Sequence, residues 1–163
     1  MTNPSEPLPA PILVVEDDAA LRRMLAAGLA QLGYGVEQAA GISEAAARLR
    51  DREYSMLLCD YEMPGGNGMD LLKYVAQVHP DVPFVLLTGH DTLDLAREAI
   101  ALGAVDFIAK PIDFHQVARV IEQNRVRVER DRGRTQELTE SILSGTIRAL
   151  VAAVDAKDPH TAR

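Results

Sequence analysis

Short apolar runs that each end in a polar residue constrain this chain more than any other feature. Ile12-Leu13-Val14-Val15 is a continuous, β-branched-rich run that ends in Glu16-Asp17-Asp18. Met56-Leu57-Leu58-Cys59 delivers a single carboxylate, Asp60, before the backbone dissolves into Met63-Pro64-Gly65-Gly66-Asn67-Gly68. Phe84-Val85-Leu86-Leu87 ends in Thr88, and a run over residues 105–109 ends in Lys110-Pro111. Such runs, bounded by turn residues, read as strands of a sheet buried on both faces.

The intervening stretches carry helical spacing. Asp18 is the expected N-cap of a first helix, with Leu21, Met24, Leu25, Leu29 and Leu32 on one stripe and Gly33 as its stop. A strand is expected over 34–39 and a helix over 42–50, with Ile42, Ala45 and Leu49 turned inward. A third helix is expected over 69–78, with Leu71, Leu72 and Val75 as its buried face, then a turn bracketed by Pro80 and Pro83. A fourth helix over 91–102 closes at Gly103. Strands alternating with helices in this way predict a parallel sheet covered on both faces, with right-handed crossovers.

From residue 113 the pattern stays helical. Val117, Ile121 and Val128 share a stripe, and Leu143, Ile147, Leu150 and Val154 show the spacing of a short heptad seam. Gly133 is the weak point between the two. The Arg-rich stretch 125–134 is interleaved with Glu129 and Asp131, which reads as a solvated helical linker rather than a nucleic-acid arm. The expected organisation is a leader over 1–10, a domain over 11–124 and a helical extension over 125–163.

Seventeen Lys and Arg against 24 Asp and Glu give a formal charge of −7, which points away from a primary nucleic-acid binder. One cysteine excludes an internal disulfide and suits a reducing compartment. No basic segment followed by an apolar core opens the chain, and no run approaches the ~20 apolar residues of a membrane helix. A cytoplasmic location is expected.

A parallel sheet brings its strand ends to one edge. Glu16, Asp17 and Asp60 would converge there, and three carboxylates without a counter-ion repel. A hard divalent cation relieves that, and Mg²⁺ fits because it takes few carboxylates and bridges to phosphate oxygens. Thr88 and Lys110 opposite the acids could hold an oxyanion near Asp60, which suits phosphoryl transfer to an aspartate. Taken singly, each acidic residue reads first as turn or capping chemistry. Jointly, the types at four strand ends do not.

The residues Val14-Val15-Glu16-Asp17-Asp18, Cys59-Asp60-Tyr61-Glu62-Met63-Pro64-Gly65, Leu87-Thr88-Gly89 and Gly103 through Pro111 resemble the receiver domain of two-component response regulators, over about residues 11–124. The resemblance implies a (βα)5 flavodoxin-like fold with strand order 2-1-3-4-5 and a phosphoacceptor rather than an enzyme. It implies that Asp60 takes a phosphoryl group from a sensor histidine kinase, and that Glu16, Asp17, Asp60 and the Glu62 backbone carbonyl hold Mg²⁺. Thr88 would bond a phosphoryl oxygen, Lys110 would pair with its charge, and Lys110-Pro111 would be cis. Phe107 falls at the family's aromatic switch position, where many members carry Tyr. Core packing is an equal reading for Phe107. Gly89 leaves room beside the site, while His90 reads as loop and Cys59 as a buried strand residue.

Residues 150–163 are similar to the entry of an HD-GYP domain, a family that hydrolyses cyclic di-GMP, although neither motif of that family is present. That resemblance implies a downstream output domain. The extension could also pair two copies of the chain, and His160 alone makes no metal site. Two other classes remain on the sequence: a stand-alone receiver acting as a scaffold, and a haloacid-dehalogenase-like phosphatase. The latter wants a second Asp two residues after the nucleophile, where this chain has Glu62.

Overall fold

A computed structural model describes residues 10–89 and 93–156. Five parallel strands form the main sheet: β1 (Ile12–Val15), β2 (Val36–Ala39), β3 (Met56–Asp60), β6 (Phe84–Thr88) and β7 (Asp106–Ala109). Their order is β2-β1-β3-β6-β7. Helices α1 (Ala19–Gln31), α2 (Ile42–Asp51), α3 (Gly68–Val78) and α4 (Leu93–Ala101) connect them. This is the flavodoxin-like doubly wound architecture, and the chain order of the five strands in it is 2-1-3-4-5. Residues 1–9, within the expected leader, and His90, Asp91 and Thr92, the last two at the start of the expected fourth helix, lie outside the described residues.

Strand pleating sends alternate residues to opposite faces. Leu13, Val15, Leu57, Cys59, Phe84 and Leu86 join Leu49, Leu71, Leu72, Val75 and Ala99 in one core layer, beneath α2, α3 and α4. Ile12, Val14, Met56, Leu58, Val85 and Leu87 join Leu25, Leu29, Val117, Val120 and Ile121 in the other, beneath α1 and the first turns of α5 (Phe114–Ala156). Burying a Leu or Ile side chain contributes roughly 1.5–3 kcal/mol, so these two layers dominate the stability of the domain. They also explain why three of the central strands need no polar face.

Asp18 caps α1, its carboxylate accepting from Ala20 N at 2.9 Å and Leu21 N at 3.2 Å. The helix ends at Gly33, whose φ of +90° is the left-handed region that favours glycine. One element escaped the periodicity. Glu62–Met63 (β4) and Gly66–Asn67 (β5) pair as a small antiparallel hairpin directly after β3, turning through Gly65 at φ +82°. Two-residue strands carry no period to read.

The chain divides into two compact units, one ending at Asn124 and one beginning at Arg125. Helix α5 is assigned from Phe114 to Ala156, and Gly133 does not interrupt it. In the second unit Leu138, Ile142, Leu143, Ile147, Leu150 and Val151 are all more than half exposed. The side chains of Val128 and Val154, two of the expected stripe positions, are outside the described set.

Candidate functional site

Sheet register assembles the site. Val15 pairs with Cys59, so Glu16 and Asp60 follow at adjacent strand ends. Asp60 pairs with Leu87 and Thr88 pairs with Ala109, so Thr88 and Lys110 emerge one step further along the same edge. Carboxyl ends of strands are where open α/β sheets bind ligands. An open cleft there is lined by Glu16, Asp17, Asp60, Glu62, Asn67 and Lys110, among others.

The acidic group is compact. One ligand oxygen each from Glu16, Asp17 and Asp60 lie within 4.8 Å of one another. Glu16 and Asp60 are buried and Asp17 is exposed. Lys110 sits against both buried carboxylates, its Nζ 3.0 Å from Asp60 Oδ1 and 3.4 Å from Glu16 Oε2. Burial pushes the Glu16 carboxyl up to about 7; the Asp18 amide, donating to Glu16 Oε1 at 3.2 Å, works against the rise, the Asp60 charge adds to it and Lys110 offsets it. Burial works to lower Lys110, but hydrogen bonding and attraction to Asp60, then Glu16, outweigh it and hold the ammonium above its usual value. One ammonium thus faces two buried carboxylates, with a third beside them.

That imbalance is what a small hard cation corrects. The donors are all oxygen, three carboxylates are close enough to share an ion, and the exposed Asp17 keeps one side open to water, which suits Mg²⁺ better than a fully caged ion.

Thr88 is buried at the end of β6, and its carbonyl accepts from Lys110 N at 2.7 Å, which ties the ends of β6 and β7 together. The Lys110-Pro111 bond is cis. Phe107 is half-buried and packs against the core layer beneath α2, α3 and α4, with its N–H donating to Asp106 Oδ1 at 2.8 Å. Glu62 opens the β4–β5 hairpin with an exposed side chain. Cys59 is fully buried behind Asp60; burial, then the Asp60 and Glu16 charges, raise its thiol well above the ordinary range, so it is inert.

Two residues matter here that sequence patterning did not single out. Gly68 begins α3 so close to the acceptor strand that a Cβ would lie 2.5 Å from the Asp60 carbonyl oxygen and 2.9 Å from Leu86 Cδ1. Its N–H donates to Tyr61 O at 2.8 Å. The run of glycines after Pro64 held the signal, but nothing distinguished the one that must be small. Asn67, just before it, caps α3 reciprocally with Asp70, each side chain accepting the other's N–H at 3.1 Å.

Fold and site together define a doubly wound α/β domain whose sheet edge gathers a carboxylate cluster around one strand-end aspartate and a lysine. Residues 12–122 match the response regulator receiver domain model, and the chain belongs to that family. It is similar to the response regulator protein PilR of Pseudomonas aeruginosa, 31% identical over 109 residues, covering 67% of this chain and 24% of PilR. The DNA-binding transcriptional regulator NtrC of Salmonella typhimurium is 35% identical over 112 residues, covering 69% of this chain and 24% of NtrC. The chain therefore spans about a quarter of the length of these curated relatives. Among solved structures, the non-phosphorylated HemR receiver domain from Leptospira biflexa aligns with a TM-score of 0.65 at 34% identity, covering 70% of this chain and 92% of that one. A CheY-like receiver domain protein from Methanospirillum hungatei aligns at 0.71 and 26% identity, covering 75% and 98%.

The family match ends at residue 122, short of the stretch that resembles an HD-GYP entry. Residues 157–163 of that stretch, His160 included, lie outside the described residues. NtrC is named as a DNA-binding transcriptional regulator, so an HD-GYP output finds no support from it. No described helix is long and apolar enough to cross a membrane.

Proposed function

We propose that Asp60 is the phosphoacceptor of this receiver domain and that a sensor histidine kinase is the donor. The observation that carries this reading is the buried Asp60 carboxylate, 3.0 Å from Lys110 Nζ and clustered with Glu16 and Asp17. In the transfer, an Asp60 carboxylate oxygen attacks phosphorus while the bond from phosphorus to the donor's imidazole nitrogen breaks, and the bonding pair stays on the imidazole. The product is a mixed anhydride whose phosphoryl group carries two negative charges where the free carboxylate carried one. Glu16, Asp17, Asp60 and the Glu62 carbonyl are the groups that would hold Mg²⁺, which supplies charge neutralisation for the equatorial phosphoryl oxygens when bound.

Lys110 then exchanges its contact with the free carboxylate for one with a phosphoryl oxygen. Thr88 donates its hydroxyl to another. Withdrawal of the Thr88 side chain toward the phosphoryl group opens space on the side of β7, and Phe107 is the aromatic group placed to use it. Having no hydroxyl, Phe107 can switch only by packing. The state of the site is then read on the surface formed by α4, β7 and the start of α5.

The exposed apolar residues of the second unit support a role for α5 in association, with a second copy of this chain or with an output domain. Control of an HD-GYP cyclic di-GMP phosphodiesterase rests on the resemblance of residues 150–163 alone.

The test is incubation with acetyl phosphate and Mg²⁺, followed by intact mass. The expected result is one added phosphoryl group, dependent on the cation and absent from Asp60→Asn. Equal labelling of Asp60→Asn would contradict the assignment.

A further inference from the structure

Arg22 lies on α1, one turn beyond the acidic loop, and its guanidinium reaches back to that loop's main chain. Nη1 donates to the Glu16 carbonyl at 2.8 Å and also lies 3.4 Å from the Asp17 carbonyl. These are the carbonyls of the two residues whose side chains join Asp60 in the acidic cluster. The rest of the loop has other anchors. Glu16 N donates to Ala39 O at 3.1 Å, and the Asp18 carboxylate is committed to capping α1. Asp17, by contrast, stands exposed at the lip of the cleft.

From this geometry we infer that Arg22 is a positioning residue for divalent-cation binding, acting through the backbone of residues 16 and 17 rather than by touching the ion. The inference rests on the reading of Glu16, Asp17 and Asp60 as cation ligands. A planar guanidinium suits the task because the two N–H groups of Nη1 are held in a fixed plane and can serve two neighbouring carbonyls at once, whereas the ammonium of lysine rotates freely and has no fixed geometry. Fixing the loop on α1 removes freedom that the ion would otherwise have to freeze out on binding, which is how outer partners strengthen metal sites.

The sign of the effect separates this role from plain electrostatics. A positive guanidinium close to a cation site repels the ion. If charge alone mattered, Arg22→Gln would bind Mg²⁺ more tightly and Arg22→Lys would match the wild type. Positioning demands the opposite order. Arg22→Gln should bind Mg²⁺ about tenfold more weakly, the scale typical of losing an outer-shell partner, and Arg22→Lys should fall between it and the wild type.

Isothermal titration of the full chain with MgCl₂ measures this directly, with Asp17→Asn as the control that removes a ligand. Thermal unfolding without Mg²⁺ shows how much of each variant is folded at the titration temperature. Weaker binding per folded molecule in the order wild type, Arg22→Lys, Arg22→Gln supports the inference. Wild-type or tighter affinity in Arg22→Gln overturns it, as does a loss fully explained by unfolded protein. Should Arg22→Gln fail to fold, Arg22→Lys carries the test, and wild-type affinity there overturns the inference. If the wild type binds Mg²⁺ and Asp17→Asn does not, failure belongs to the Arg22 inference alone. If the wild type takes up no Mg²⁺, the cation reading and this inference fall together.

Discussion

Lys110 balances two buried carboxylates, and its removal should be felt before any phosphoryl group arrives. Lys110→Met leaves Asp60 and Glu16 facing each other with no cation between them. Stripping one partner from a buried ion pair costs about 3–5 kcal/mol. The Lys110 side chain is 26% exposed, so a loss of about 2 kcal/mol is expected, below the range for a fully buried pair. Urea unfolding in EDTA checks it, and added Mg²⁺ should recover part of the loss. Gly68 acts by what it lacks. A methyl group there meets backbone at 2.5 Å, and Gly68→Ala should lower stability by about 1–3 kcal/mol through overpacking. Wild-type stability in Gly68→Ala would mean that the start of α3 is not tied to the Asp60 strand end as closely as the geometry states. The acids, Thr88 and Lys110 were legible in the sequence because each follows an apolar run. Their pairing was not. That Lys110 spans both Glu16 and Asp60 depends on side-chain reach, and the contact of Arg22 with the loop carbonyls is invisible to any pattern that reads a helical Arg as solvated.

At the level of elements, β2 is an outer strand of the main sheet and is held by polar contacts more than by burial. Glu37 on β2 accepts from the Tyr54 hydroxyl at 2.5 Å and from Arg48 Nη1 at 3.4 Å, and also pairs with Arg52. The Tyr54 hydrogen bond, with the two arginines, holds the Glu37 carboxyl below its ordinary value. Burial, then Glu37, pushes the Tyr54 hydroxyl up to about 12. A depressed carboxylate stabilises the fold above its unfolded pKa, and that contribution is lost as pH falls through the folded value. A raised tyrosine stabilises below its unfolded pKa, and the contribution is lost as pH climbs through the folded one. Tyr54→Phe should therefore cost about 1 kcal/mol near neutral pH. The gap to the wild type should narrow both in acid and toward pH 12. Denaturant melts across pH measure it, and a gap that stays constant would show that ionisation of this pair is not linked to folding. Long elements such as α1 and β3 were readable from spacing. The β4–β5 hairpin was not, since its register is set by Gly65 and by α3 closing over it.

For the whole molecule, the two units differ in how their apolar groups are used. The unit ending at Asn124 buries most of its own in two layers around the sheet. The unit beginning at Arg125 leaves Leu138, Ile142, Leu143, Ile147, Leu150 and Val151 exposed along α5. Leu143, Ile147 and Leu150 follow heptad spacing, while Leu138 and Ile142 lie on a different side, so one partner helix would cover only part of the surface. If a second copy of the chain is the partner, sedimentation should show concentration-dependent association that Ile147→Glu abolishes without affecting Mg²⁺ binding. Association unchanged by Ile147→Glu would place the contact elsewhere. The phosphoacceptor assignment itself has a sharper probe than added mass, because borohydride reduces an aspartyl phosphate to homoserine and leaves the residue marked. Peptide mapping after acetyl phosphate, Mg²⁺ and borohydride should find homoserine in place of Asp60, with Asp17 and Asp18 intact. Homoserine at another aspartate, with Asp60 unmodified, would contradict the assignment of Asp60 as the acceptor.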